Sequence, residues 1–185
     1  MKPFPPLDIL VPSYIRKIEP YIPSKPDDVL REMFGCQSIE RLNNNENALG
    51  PSAAAIDAIQ AIKSAQAAIY PSGDAYHLRQ RLAEKIGLSP DSFLVGNGAN
   101  EVIAFVIKAF CQAGDNIITA DKTFAVYEWV AEFSGYEARL IPLAQDYGFD
   151  DETMLNAVDA RTKILFVCNP NNPTGNYNPL EVMEK

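Results

Sequence analysis

Lys163-Ile164-Leu165-Phe166-Val167-Cys168-Asn169-Pro170-Asn171-Asn172-Pro173-Thr174-Gly175 decides how this chain is read. An apolar run of β-branched and aromatic residues ends abruptly in three asparagines, two prolines, a threonine and a glycine. The run predicts a buried strand, and the polar stop predicts a rigid loop at the strand's C-terminal end. Pro170 and Pro173 fix φ and bias the residues before them toward extended geometry, so Asn172 stands out from the strand end instead of entering a helix. In an open α/β sheet that end is where ligands bind.

Asn172-Pro173-Thr174-Gly175 after an apolar strand resembles the signature of the fold-type I, pyridoxal-phosphate-dependent aminotransferases. The longer run from Asn169 is similar to the histidinol-phosphate branch of that family. The resemblance implies an α/β large domain with a mostly parallel sheet flanked by helices. It also implies pyridoxal 5'-phosphate as cofactor, with Asn172 bonded to the oxygen on the cofactor ring.

Composition agrees with one ordinary domain. The chain has 185 residues, 47% of them hydrophobic and 22% charged, enough for a real core. A net charge of −8 argues against nucleic acid or an anionic membrane as partner. It does not argue against a phosphate ligand, which backbone N–H groups can hold. Cys36, Cys111 and Cys168 are odd in number and widely spaced. They suggest a reduced, cytoplasmic chain without disulfides or metal spacing. Cys111 and Cys168 lie in apolar runs and read as buried thiols. No apolar stretch has the length of a signal peptide core or a membrane helix.

Along the chain, the proline-rich first 30 residues predict an extended arm with one short helix around residues 14–18. Such an arm is ordered only when it lies on its own domain or on a partner. Val11–Arg16 and Pro20–Pro26 resemble the start of the histidinol-phosphate branch, where Tyr21 would face substrate. Alternatively, Tyr21 packs the arm down. Ile39–Leu42 reads as a short strand running into Asn43-Asn44-Asn45-Glu46-Asn47, a solvated turn by its residues. The family has an Asn-Glu-Asn loop here, which implies that Asn45 faces substrate. Ala48 stands where the family usually has proline.

Residues 51–69 predict one helix, with Ile56, Ile59 and Ile62 on a face. Residues 75–86 predict another, stopped by Gly87. Tyr70 matches a family tyrosine that reaches across a dimer to the cofactor phosphate, a role its neutral hydroxyl suits. As an alternative, Tyr70 caps the helix end. His77, the only histidine, has no partner at ligand spacing and receives no role.

Residues 92–95 predict a strand, followed by Gly96-Asn97-Gly98-Ala99-Asn100-Glu101 and an apolar helix, Val102–Cys111. Glycines let the backbone approach a ligand, and the helix start offers free N–H groups and a positive dipole end. A dinucleotide-binding motif fails because Glu101 stands where its third glycine belongs. The segment resembles the family's Gly-Ala-(Asp/Asn)-Glu turn, so Ala99 and Asn100 would hold the cofactor phosphate. After a strand at Asn116–Ala120, Thr123-Phe124 resembles a family pattern that puts Phe124 on the face of the pyridine ring. Lys122 replaces the usual proline there. Phe124 is equally readable as the first core residue of the helix running to Ser134. A strand at Glu137–Leu143 and a helix at Asp151–Val158, with Asp150 as N-cap, complete the α/β alternation.

The expected division is an arm and small-domain segment at 1–47 and an incomplete cofactor-binding large domain at 48–185. In the family, three catalytic features follow the Asn-Pro-Thr-Gly loop. They are a lysine that bonds the cofactor aldehyde, a carboxylate on the pyridine nitrogen and an arginine for the substrate carboxylate. None is assigned here: Lys63, Lys85 and Lys108 are on helices and Lys163 opens a strand. The resemblance implies a transaminase acting on L-histidinol phosphate and 2-oxoglutarate, dimeric in full-length form. The alternatives are another aminotransferase, a threonine-phosphate decarboxylase, or a truncated module without catalysis. The isolated chain is expected to give no turnover and no borohydride-reducible lysine adduct with pyridoxal phosphate. A stable adduct on one defined lysine, found by peptide mass analysis, would sink that expectation.

Overall fold

Asn116-Ile117-Ile118-Thr119-Ala120 (β1) is buried along its whole length in the computed structural model, which describes residues 6–19 and 22–184. Before it come α1 (Leu7–Leu10), α2 (Asp27–Phe34), α3 (Ala53–Gln60), α4 (Ser64–Ala67), α5 (Tyr76–Ile86) and α6 (Ala99–Phe110). After it come α7 (Val126–Phe133), β2 (Glu137–Ile141), α8 (Asp151–Asn156), β3 (Thr162–Leu165) and α9 (Leu180–Met183). The sheet is parallel with order β2-β1-β3. Ile117 pairs with Ala138 on one side and Ile164 on the other, with a register irregularity between Asn116 and Ile117.

Side chains alternate across a strand, so the two isoleucines of β1 feed two different layers. Ile117 joins Ile103 and Ile107 of α6 and Val126 and Ala131 of α7. Ile118 joins Ile141 and Met154, the latter on α8, with Phe149 and Val167 packed around them. Helices therefore cover both faces, as a parallel sheet requires, which is why β1 lacks polar alternation. The family's α/β fold with a parallel, helix-flanked sheet is present.

Several local expectations change. Residues 39–42 and 92–95 do not form strands; Leu42 is 92% exposed, and neither segment finds a ladder partner among the described residues. The helix expected over 51–69 is broken into α3 and α4. Ile56, Ile59 and Ile62 are exposed, so no buried face holds one long helix together. The break is stabilised locally, since the Gln66 side chain accepts from the Lys63 N–H at 3.0 Å. Cys111 is buried, but Cys168 is only partly so. The Asp150 cap forms: its Oδ1 accepts from the Thr153 N–H at 2.9 Å.

Two compact units form. One comprises the described residues up to Glu19 together with those from Arg79 onward. Within it the short turn at Ile15–Lys17 follows Tyr14, whose ring lies against Gly135, so this part of the arm rests on its own domain. The other unit ends at Leu78. There the Arg41 guanidinium donates to Asp27 Oδ1 at 2.6 Å and to the Lys25 carbonyl at 2.7 Å. α2 begins after Pro26 with Asp27 and Asp28 in its first turn and ends at Gly35, φ +62.

The N-terminal ends of the three strands are tied by charge and hydrogen bonds. Arg139 donates to Asp159 Oδ2 at 2.8 Å, to Glu137 Oε1 at 3.1 Å and to the Ala157 carbonyl at 3.0 Å. Asp159 Oδ1 also accepts from the Arg161 N–H at 2.8 Å and from Asn116 Nδ2 at 3.2 Å. These bonds, led by that from Arg139, hold the Asp159 carboxyl well below its ordinary value of 3.8.

Two measurements follow. Between its folded and unfolded pKa the unfolded chain binds more protons at Asp159. Its contribution to stability is therefore complete above about pH 4 and is lost as pH falls further. Melting curves from pH 6 to pH 3 should show a steeper decline for the wild type than for Asp159→Asn, and parallel curves would contradict this. At Gly135, φ is +83 and an added Cβ would lie 3.2 Å from the Tyr14 ring. Gly135→Ala should cost roughly 1–2 kcal/mol in left-handed backbone alone. It should also speed trypsin cleavage at Arg16 and Lys17; unchanged cleavage would show that the ring contact does not hold the arm.

Candidate functional site

Two glycines shape the start of α6. Gly98 is its N-cap, with φ +80 and no side chain to cap the helix. The Gly98 N–H donates back to the Gly96 carbonyl at 2.9 Å, which makes the turn tight. A Cβ on Gly96 would come within 3.0 Å of Val102 Cγ2 and 3.2 Å of Glu101 Oε2. The Asn97 N–H donates to that Glu101 oxygen at 2.5 Å. Helix geometry leaves the N–H groups of Ala99 and Asn100 without intrahelical acceptors, at the positive end of the dipole. Behind them, Ile103 and Ile107 anchor the helix in the core. The short link Cys111–Asp115 turns the chain back into β1. The start of α6 therefore lies at the edge of the sheet where the strands end.

Asp121-Lys122-Thr123-Phe124-Ala125 leaves β1 at the same edge. Lys122 Nζ donates to Asp121 Oδ2 at 2.9 Å, and Asp121 Oδ1 accepts from the Leu143 N–H at 3.0 Å. The Lys122 bond is the main reason the Asp121 carboxyl sits below its ordinary value. These contacts restrain a loop that has lysine where the family has proline. Phe124 packs on the rim of the core. Its ring meets Tyr127 edge-on at 5.7 Å, and Tyr127 stacks on Phe166 at 4.5 Å and 13°. An aromatic chain thus links the loop after β1 to the end of β3. Burial pushes the Tyr127 phenol up to about 12, helped by a hydrogen bond with Cys168. The Cys168 thiol donates on to the Pro170 carbonyl at 3.5 Å.

Asn171 and Asn172 differ sharply. Asn171 is 3% exposed and reaches the β1 loop, accepting from Thr123 Oγ1 at 2.7 Å and donating to the Lys122 carbonyl at 2.9 Å. Asn172 is half-buried, and its carboxamide makes no hydrogen bond among the described residues. The peptides before Pro170 and Pro173 are cis.

Of the residues singled out from sequence, Ala99, Asn100, Phe124 and Asn172 stand at the C-terminal edge of one sheet. Asn45 and Tyr70 belong to the unit that ends at Leu78. Asn45 is exposed with φ +54, and Tyr70 is 97% exposed. Tyr21 lies outside the described residues. Sequence reading missed Asn171, because nothing in a run of asparagines tells which one turns inward. Among the described residues no group of three or more His, Cys, Asp or Glu could hold a metal, and no helix is long and apolar enough to cross a membrane.

Comparison with known proteins agrees with this architecture. Residues 38–185 match the family of class I and II aminotransferases. The chain is 39% identical over 163 residues to histidinol-phosphate aminotransferase of Moorella thermoacetica, covering 87% of this chain and 41% of that protein. It is 42% identical over 166 residues to the same enzyme of Symbiobacterium thermophilum, covering 89% and 45%. A crystal structure of the Sinorhizobium meliloti histidinol-phosphate aminotransferase in complex with pyridoxal-5'-phosphate shares the fold. Its TM-score is 0.76 at 23% identity, over 92% of this chain and 45% of that one. A putative histidinol-phosphate aminotransferase from Erwinia carotovora atroseptica gives 0.70 at 29% identity, over 77% and 42%. The chain thus spans less than half the length of these relatives. With a family match across most of its residues, this chain belongs to the class I and II aminotransferases.

Proposed function

We propose that this chain is the cofactor-holding part of a pyridoxal-phosphate-dependent aminotransferase of the histidinol-phosphate type. The observation that carries the reading is the Asn172 carboxamide, without a hydrogen bond among the described residues and held at the sheet edge that also presents Phe124 and the uncapped start of α6. The donor set fits a phosphorylated, flat, oxygen-bearing ring. The Ala99 and Asn100 N–H groups would take the phosphate, as helix starts take anions. Phe124 would lie on the ring face, offering apolar area without a competing proton. The Asn172 NH2 would donate to the ring oxygen, a charge-assisted bond. When bound, the cofactor supplies an electron sink for the amino-acid carbon. The protein fixes its orientation and excludes alternatives.

In this reading residues 48–185 form part of the cofactor-binding domain and residues 1–47 its arm and small-domain segment. The full-length protein is a homodimer. The exposure of Tyr70 supports a role toward the partner subunit's cofactor phosphate, since a tyrosine serving only its own helix end would be packed there. Tyr21 and Asn45 are assigned to the substrate side. The substrates are L-histidinol phosphate, which the names of the relatives at 39% and 42% identity support, and 2-oxoglutarate as amino acceptor.

Two tests apply. Calorimetric titration with pyridoxal 5'-phosphate should give binding that inorganic phosphate competes away. Asn172→Ala should weaken it by about 10-fold or more, the worth of a hydrogen bond to a charged group. Equal affinity in wild type and variant would remove Asn172 from the site. In the full-length protein, 2-oxoglutarate-dependent amino transfer from L-histidinol phosphate is expected. Carbon dioxide release from L-threonine phosphate without such transfer would replace the reading with a decarboxylase.

A further inference from the structure

We propose that Asn171 is the positioning residue that sets the Asn172 carboxamide relative to the Phe124 ring. The proposal rests on the cofactor reading above only for what those two groups hold; the clamp itself is read from geometry.

A carboxamide has two N–H donors and one oxygen acceptor. In Asn171 all three are engaged. Nδ2 donates to the Lys122 carbonyl at 2.9 Å and to Thr174 Oγ1 at 2.8 Å, and Oδ1 accepts from Thr123 Oγ1 at 2.7 Å. Its backbone is engaged too. The Asn171 N–H donates to the Asn176 carbonyl at 2.7 Å, and its carbonyl accepts from the Gly175 N–H at 2.8 Å. The residue is 3% exposed, so water does not replace a lost partner.

These bonds fall into two sets. The backbone pair and the Thr174 bond close the 171–176 turn on itself. The Lys122 and Thr123 bonds cross to the loop after β1. Among the described residues, Asn171 alone makes hydrogen bonds between residues 121–125 and 169–176. Thr123 is covalently next to Phe124, and Asn171 is next to Asn172. One buried side chain therefore fixes the spacing of the two groups assigned to the cofactor ring. Aspartate would keep the oxygen but lose both donors and bury a charge. Alanine would strand the Lys122 carbonyl and two hydroxyls.

The test compares Asn171→Ala, Asn172→Ala and the double variant, each confirmed folded by thermal melting. Pyridoxal 5'-phosphate affinity is read by calorimetry. Amide exchange is read without ligand at Gly175, bonded to Asn171, and at Tyr127, whose N–H donates to the Phe124 carbonyl at 3.2 Å. Asn171→Ala should weaken binding about 10-fold. The double variant should bind no more than about twofold weaker than Asn172→Ala alone, because the two residues act in series. Exchange should quicken at both amides, with the core of α6 unchanged. Multiplying losses in the double variant, wild-type affinity in Asn171→Ala, or unaltered exchange at Tyr127 would each overturn the proposal. Failure of the wild type to bind pyridoxal phosphate would defeat the cofactor reading instead, and the exchange data would still decide the clamp. Should Asn171→Ala not fold, Thr123→Val removes only one crossing bond and should quicken exchange at Tyr127; no change there would count against the clamp.

Discussion

The complete burial of β1 is the constraint on which the rest depends. A strand with parallel neighbours on both edges and helices on both faces has no solvent to satisfy its polar groups. Asn116 and Thr119 are buried there, and each has a partner. Asn116 bonds Asp159 and Thr162, and Thr119 donates to the Phe166 carbonyl at 3.2 Å. The Asn116 and Thr119 bonds tie β3 to β1 at two levels. Because all three strands are parallel, fixing them this way places all three exit loops at one edge, where loops and the start of α6 can converge.

The two ends of the sheet are held by different physics. At the N-terminal end, the partly buried Arg139 and the exposed Glu137, Asp159 and Arg161 form a charge network that solvent and salt weaken. At the C-terminal end the links are a buried carboxamide and an aromatic chain through Phe124, Tyr127 and Phe166. Those links persist as pH changes, since Asn171 carries no titrating group and Tyr127 is pushed up to about 12. A site meant to hold a charged ligand in fixed geometry is better served by the second kind of support.

Much of this was legible in sequence where signals were periodic or chemical. The strand at 116–120, the strand from 137 (expected to 143, ending at 141), the Asp150 cap and the glycine turn before α6 follow from local residues alone. What failed depended on distant partners. Residues 92–95 look like a strand but meet no ladder, and the isoleucines of 51–69 look like a buried face but stay exposed. α2 was missed although Pro26, two aspartates and Gly35 marked its ends, because the surrounding prolines suggested an extended arm. Lys122 in place of proline removed one source of loop rigidity. The Asp121–Leu143 and Asn171–Lys122 bonds replace it, and both span the chain too widely for any local pattern to reveal.

Asn171 and Asn172 show why residue type underdetermines role. The same side chain stands at adjacent positions of one rigid loop. At Asn171, burial forces every donor and acceptor into protein partners, which leaves nothing to offer a ligand. At Asn172 the carboxamide has no hydrogen-bond partner among the described residues, which leaves it available. The free group has a defined direction only if something else is spent to hold its backbone, and the neighbouring residue is the one so spent. An amide left open among the described residues and a fully engaged structural amide are therefore complementary halves of one device: the second fixes the backbone that aims the first.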